Sequence, residues 1–67
     1  MPVITIEAGK VNKSQKEAMI REFTKTASAI LAIPEPAFVV LIKENDDDNI
    51  GTGGELLSKV KAKRASQ

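Results

Sequence analysis

The sequence predicts a small two-layer α+β domain, built from a βαβ unit and a C-terminal hairpin. Residues 3–8 are rich in β-branched side chains, which favour a strand. Residues 37–42 are apolar without alternation, as expected of a parallel strand that is covered on both faces. Between them, apolar residues recur at helical spacing, and three glycines within residues 51–54 suit a tight hairpin turn. Strand, helix and strand in this order predict a right-handed βαβ unit.

The predicted helix carries a single apolar stripe. Its members are Met19, Ile20, Phe23, Ala27, Ile30 and Leu31. Ser14 with Glu17 matches a capping box at its start, and Asn12 is a competing cap. The helix should end near Ile33, because a proline at position 34 disfavours helical geometry in the preceding residue.

The short length of the chain predicts an oligomer. We expect residues 1–67 to form one domain, with a frayed basic tail at 62–67. A domain of this size buries only about 60% of its unfolded surface and usually needs disulfides, metals or partner chains. The chain has no cysteine, and one helix covers only one face of a two-stranded sheet. The other face should therefore be covered by a second copy of the chain.

The composition excludes several classes of site. Without histidine or cysteine, neither a Cys/His zinc cluster nor a Ser-His-Asp or Cys-His catalytic system can form. Ten basic and nine acidic residues leave a net charge of +1, which does not suggest a polyanion partner such as nucleic acid. No apolar run approaches the length of a membrane span, and no signal-peptide pattern is present. We therefore expect a cytoplasmic protein with no metal and no membrane or nucleic-acid partner.

Several short motifs along the chain point to one family. They are Met1-Pro2 before a strand, Gln15-Lys16, Ile20-Arg21-Glu22, Pro34 at the helix exit, and the segments 40–44 and 49–56. In their order and spacing, from Pro2 to about Lys61, they resemble the 4-oxalocrotonate tautomerase family, the small-subunit branch of the tautomerase superfamily. The resemblance implies a tautomerase/MIF-like fold, in which two βαβ units share a four-stranded sheet and three dimers form a homohexamer.

The resemblance also makes Pro2 the catalytic residue. Met1 should be removed because the residue after it is small, which leaves a secondary amine on a rigid ring. An α-amino group titrates near ~7.7–8.0, and apolar burial or nearby cations lower that value. A neutral amine at pH 7 can act as a general acid–base without a cofactor. The alternative is that Pro2 simply begins a strand, where the missing N–H costs little.

The family's substrate-binding positions are altered in this chain. Two arginines and a hairpin aromatic residue are implied by the resemblance, and they correspond to Lys10, Val39 and Ile50. Lysine keeps the charge but loses the bidentate fork, valine has no charge, and isoleucine excludes water without offering a ring. We therefore expect slow or relaxed turnover of dicarboxylates, or a smaller and less charged substrate. Lys43 is expected to pair with Glu44 or with an acid of the following loop.

The resemblance therefore implies a cofactor-independent keto–enol tautomerase of small unsaturated 2-hydroxy or 2-oxo acids. A hydratase or dehalogenase of unsaturated acids from the same superfamily is an alternative, with Glu7 as a weak candidate for activating water. A non-catalytic oligomeric binding module that kept the fold is another.

Overall fold

The computed structural model describes residues 1–65 and has the predicted order of elements. The helices and strands are β1 (Val3–Ala8), α1 (Lys13–Leu31), β2 (Val39–Glu44), β3 (Gly51–Thr52), β4 (Glu55–Leu56) and α2 (Leu57–Ala65). Single 3₁₀ turns at Glu35–Ala37 and Asp47–Asn49 flank β2. Together they form the βαβ unit and the C-terminal hairpin that the sequence predicts, with a second helix after the hairpin.

Strands β1 and β2 pair in parallel, in a register that runs from Val3 opposite Val39 to Ala8 opposite Glu44. The sequence places the second strand two residues too early, at 37–42. The 3₁₀ turn after Pro34 occupies Glu35–Ala37 and delays the start of the strand. β1 has the predicted bounds.

Asn12, the competing cap in the sequence, is the N-cap of helix α1. The Asn12 Oδ1 atom accepts the Gln15 N–H at 2.8 Å, and Gln15 Oε1 accepts the Asn12 N–H at 3.0 Å. The predicted capping box of Ser14 and Glu17 is therefore wrong. Asn12 and Gln15, each two residues earlier, form the capping box instead. At its other end the helix stops at Leu31, and Ala32 adopts a left-handed conformation with φ of 56°.

The two faces of the β1–β2 sheet differ in their environment. Glu44 binds Lys16 of α1, which identifies the face of Ala8 and Glu44 as the helix side. The opposite face, which we call the open face, carries Val3, Thr5, Glu7, Val39, Leu41 and Lys43. Val3 and Leu41 are each 52% exposed there. One helix therefore leaves the other side of the sheet uncovered, as predicted.

A single chain has no closed core. None of the described residues with an assigned burial is fully buried. The radius of gyration is 15.9 Å, whereas a compact chain of 67 residues would have about 11 Å. The single chain is therefore extended, and several of its large apolar side chains remain exposed to solvent.

The C-terminal hairpin turns at Gly53 and Gly54, whose φ angles of 59° and 82° explain the need for glycine. α2 follows directly, and the Leu57 N–H donates to the Ile50 carbonyl at 2.7 Å. The helix includes residues 62–65 of the tail that we expected to fray; residues 66 and 67 lie outside the described part. Within the described part, no helix is long and apolar enough to cross a membrane.

Candidate active site

Pro2 is tied to the sheet at the start of β1. Its carbonyl accepts the Val39 N–H at 3.1 Å, so residue 2 is held against β2 although β1 begins one residue later. Proline has no N–H to donate, and this edge position requires none. The ring is half-buried, whereas Met1 is 88% exposed. The backbone of residue 2 is therefore fixed while the preceding methionine projects into solvent.

Val39 lies at the same end of the sheet as Pro2. It pairs in register with Val3, the residue that follows Pro2, and is itself half-buried. The structure thus brings two of the predicted site residues together. Their immediate surroundings on the sheet are apolar.

Lys10 and Ile50 lie at the opposite end of β1. Lys10 follows the strand, while Ile50 lines an open cavity of about 520 Å³ together with Glu7, Gly9 and Asn45. The six residues of β1 separate this end from Pro2 by about 20 Å. A single chain therefore brings Pro2 and Val39 together, whereas Lys10 and Ile50 lie far from them and line different cavities.

The ammonium group of Lys10 is already engaged. Its Nζ lies 3.1 Å from Asp46 Oδ1, in an ion pair whose side chains are 72% and 59% exposed. The hydrogen bond to Asp46 raises the pKa of Lys10, and the charges of Asp46 and Glu44 raise it further. The cation expected to meet a substrate carboxylate thus has a carboxylate partner within its own chain.

Glu44 connects three segments near this end of the sheet. Its carboxylate accepts the Lys16 ammonium at 2.9 Å and the Val11 N–H at 3.1 Å. The Lys16 hydrogen bond and then the Val11 hydrogen bond hold the pKa of Glu44 below its usual value. These contacts fix the loop after Lys10 against β2.

The expected pairing of Lys43 with Glu44 or with an acid of the following loop is wrong. Lys43 Nζ instead lies 3.9 Å from Glu7 Oε1. Successive side chains of a strand point to opposite faces, so Lys43 lies on the open face beside its register partner Glu7. Asn45 also donates to Glu7, at 3.3 Å.

Contacts between residues 46–48, which we call the acidic loop, and α2 were not predicted. Lys61 Nζ binds both oxygens of Asp47 at 3.0 and 3.1 Å, and Ser58 Oγ donates to Asp48 Oδ1 at 2.6 Å. Both contacts lie before residues 62–67, which were expected to form a frayed basic tail. The signal that could have revealed these contacts is the opposite charge of two segments about 14 residues apart. Among the described residues, no group of three or more acidic, histidine or cysteine side chains is placed to hold a metal ion.

Comparisons with known proteins agree on one family. A family model for tautomerase enzymes matches residues 2–60. The 2-hydroxymuconate tautomerase of Pseudomonas putida is 42% identical over 50 residues, which cover 75% of this chain and 79% of that protein.

Two solved structures have the same fold. A 4-oxalocrotonate tautomerase homologue is 27% identical with a TM-score of 0.81, over 87% of this chain and 94% of its own. An apo unfused 4-OT is 30% identical with a TM-score of 0.83, over 88% of this chain and 98% of its own. The chain therefore belongs to the tautomerase family and is an isomerase with the fold of the 4-oxalocrotonate tautomerase homologues.

Proposed function

We propose that this tautomerase interconverts the enol and keto forms of small unsaturated 2-hydroxy and 2-oxo acids in the cytoplasm, with the amine of Pro2 as general acid–base and no cofactor. The observation that carries the proposal is the hydrogen bond from the Val39 N–H to the Pro2 carbonyl, which holds the terminal residue on the sheet. Termini usually fray, and a base must keep its position relative to the substrate. The relative from Pseudomonas putida is named for 2-hydroxymuconate, an enol acid of this class.

The reaction requires the loss of Met1. While Met1 is attached, the Pro2 nitrogen is an amide without basic character; after cleavage it is a secondary amine. The 88% exposure of Met1 supports ready access for an aminopeptidase. Val3 and Val39 make this end of the open face apolar, and its burial in an assembly would favour the neutral amine, because an apolar environment disfavours the charged form.

The proton transfers conserve all atoms of the substrate. The neutral Pro2 amine takes the proton from the 2-hydroxyl group of the enol, and the oxygen becomes the carbonyl of the ketone. The resulting ammonium returns the proton to a carbon of the conjugated system. The reverse direction uses the same groups, with the proton leaving that carbon first.

A complete site requires more than one chain. The length of β1, about 20 Å, separates Lys10 from Pro2, and Ile50 lies beside Glu7 and Ala8 near the same end as Lys10. Both are too far from Pro2 to contact the same small acid. We propose that a neighbouring copy supplies them, in an assembly that covers the open face, with the homohexamer of three dimers as the expected form. The assembly would also exclude water from the Pro2 amine.

The test is a proton-transfer assay on protein confirmed by mass to lack Met1. Absorbance would follow the ketonisation of 2-hydroxymuconate and of phenylenolpyruvate. We expect protein that retains Met1 to have a kcat/KM lower by about 100-fold or more, the usual loss when a positioned acid–base is removed. Pro2→Ala should lower kcat/KM less, because removal of Met1 would still leave a primary amine at residue 2. Pro36→Ala, in the exposed turn before β2, is the matched control and should retain activity.

Two outcomes would contradict the proposal. One is an undiminished rate in Pro2→Ala, which would show that the rigid secondary amine of proline is not required for catalysis. The other is full activity of protein that retains Met1, in which the Pro2 nitrogen cannot accept a proton.

A further inference from the structure

The side chain of Asp46 forms an ion pair with Lys10. Asp46 precedes the 3₁₀ turn Asp47–Asn49, and its backbone carbonyl accepts the Asn49 N–H at 2.8 Å. Its side chain makes no capping hydrogen bond in that turn, and Oδ1 instead lies 3.1 Å from Lys10 Nζ. The Asp46 carboxylate therefore binds Lys10 and does not cap the backbone of the following turn.

The loop that carries Asp46 is anchored from the other side. Asp47 binds Lys61 and Asp48 accepts a hydrogen bond from Ser58, so α2 engages the two following carboxylates. Among the described residues, Asp46 is the residue of the acidic loop that forms an ion pair with Lys10. This division of partners leaves one carboxylate in position to neutralise the candidate substrate-binding cation.

We propose that Asp46 competes with the substrate carboxylate for Lys10 and thereby lowers the affinity of the site for carboxylate substrates relative to uncharged enols. The inference rests on the proposed function, since it assigns Lys10 to substrate binding. A substrate carboxylate must displace Asp46 to reach the ammonium group. Val39 offers no second cation, so the second carboxylate of a dianion gains nothing there to offset this displacement.

The expected effect is modest, because both partners are exposed. Ion pairs of this kind change an equilibrium constant by a factor of up to about five. We expect Asp46→Asn to lower the KM for 2-hydroxymuconate about two- to five-fold with a much smaller change in kcat. The KM for an uncharged enol, such as that of pentane-2,4-dione, should not change. Raising the salt concentration should reduce the difference between the variant and the unmodified protein.

Asp48→Asn is the matched control. It removes the same charge from the same loop, but its partner is Ser58. If Asp48→Asn lowers the KM as much as Asp46→Asn, the effect comes from the general charge of the loop and the proposal is wrong. Adding Asp46→Asn to a Lys10→Ala background should have no further effect, because the competition requires the lysine.

A binding measurement separates this inference from the proposed function. Fumarate, a dicarboxylate that lacks an enol, would be titrated while the NMR signals of the Lys10 side chain are followed. Tighter binding to Asp46→Asn than to the unmodified protein or to Asp48→Asn supports the competition even if no enol is turned over. Equal affinities, or no shift at Lys10 in any of the three proteins, would overturn it whether or not the enzyme ketonises its substrates.

Discussion

The pKa of Glu44 lies below its usual value of 4.5 because the hydrogen bonds from Lys16 and then from Val11 favour the ionised carboxylate. A group whose pKa is lower in the folded state stabilises the fold above its unfolded pKa. That contribution is lost as the pH falls from about 4.5 through the folded value. The contact is exposed, but it joins α1, the loop after Lys10 and β2, so one carboxylate affects how three segments are held.

We predict that Glu44→Gln lowers the free energy of unfolding at pH 7 and that the difference from the unmodified protein shrinks below pH 4.5. Glutamine can still accept the Val11 N–H, but it has no charge to attract Lys16. Urea unfolding at pH 7, 5 and 3.5, at one protein concentration, measures the effect. Glu22→Gln, at an exposed position of α1, is the control. A pH-independent difference for Glu44→Gln would contradict the assigned linkage.

The start of α1 shows how an element is fixed by its flanking residues. Asn12 and Gln15 exchange hydrogen bonds between side chains and backbone, and thus satisfy two N–H groups that the first turn leaves free. Ser14 lies inside the helix, which begins at Lys13, and has no capping role. The two candidate caps in the sequence can therefore be distinguished by mutation.

We predict that Asn12→Ala lowers the free energy of unfolding by about 1 kcal/mol, the usual cost of losing an N-cap. Ser14→Ala should change it by less than about 0.5 kcal/mol, because it replaces an exposed helical residue with a better helix former. Denaturant unfolding followed by circular dichroism gives both values. A larger loss from Ser14→Ala than from Asn12→Ala would restore the capping box first expected from the sequence.

Elements determined by local pattern could be predicted, whereas their ends and partners could not. β1 follows from its β-branched run, and the turn at Gly53 and Gly54 follows from the need for positive φ. β2 begins two residues later than the sequence predicts, because the residues after Pro34 form a 3₁₀ turn. Apolar periodicity does not reveal such a turn. The choice between caps depends on where the chain leaves β1, and this is a tertiary property.

The candidate site was predictable to a similar extent. Parallel pairing of the strands predicts that Pro2 and Val39 share one end of the sheet, as they do. The pairing of Lys10 with Asp46 depends on a loop conformation that is itself anchored by α2. Such contacts between distant segments leave no periodic pattern in the sequence.

The whole molecule combines a well-paired sheet with an uncovered apolar surface. Val3 and Leu41 are each 52% exposed on the open face, and the radius of gyration of 15.9 Å exceeds that of a compact chain. The charged pair Glu7 and Lys43 lies at one end of this face, while its other end is apolar and lies beside Pro2. Burial of the apolar end by a second copy would stabilise the fold and enclose the proposed base in one step.

Leu41 offers the most direct test of this coupling, because it projects from the open face of β2 opposite Thr5. We predict that Leu41→Lys dissociates the assembly, since it places a charge where an apolar side chain should be buried in each copy. Sedimentation should then show a species near the chain mass of 7.2 kDa, with ketonisation lost even though Pro2 is intact. Lys25→Glu, at an exposed position of α1, is the control and should leave the mass of the assembly unchanged.

The unmodified protein should also become more stable as its concentration rises, because association favours the folded state. A folded and fully active monomer would show that neither the open face nor a neighbouring Lys10 and Ile50 is required for catalysis.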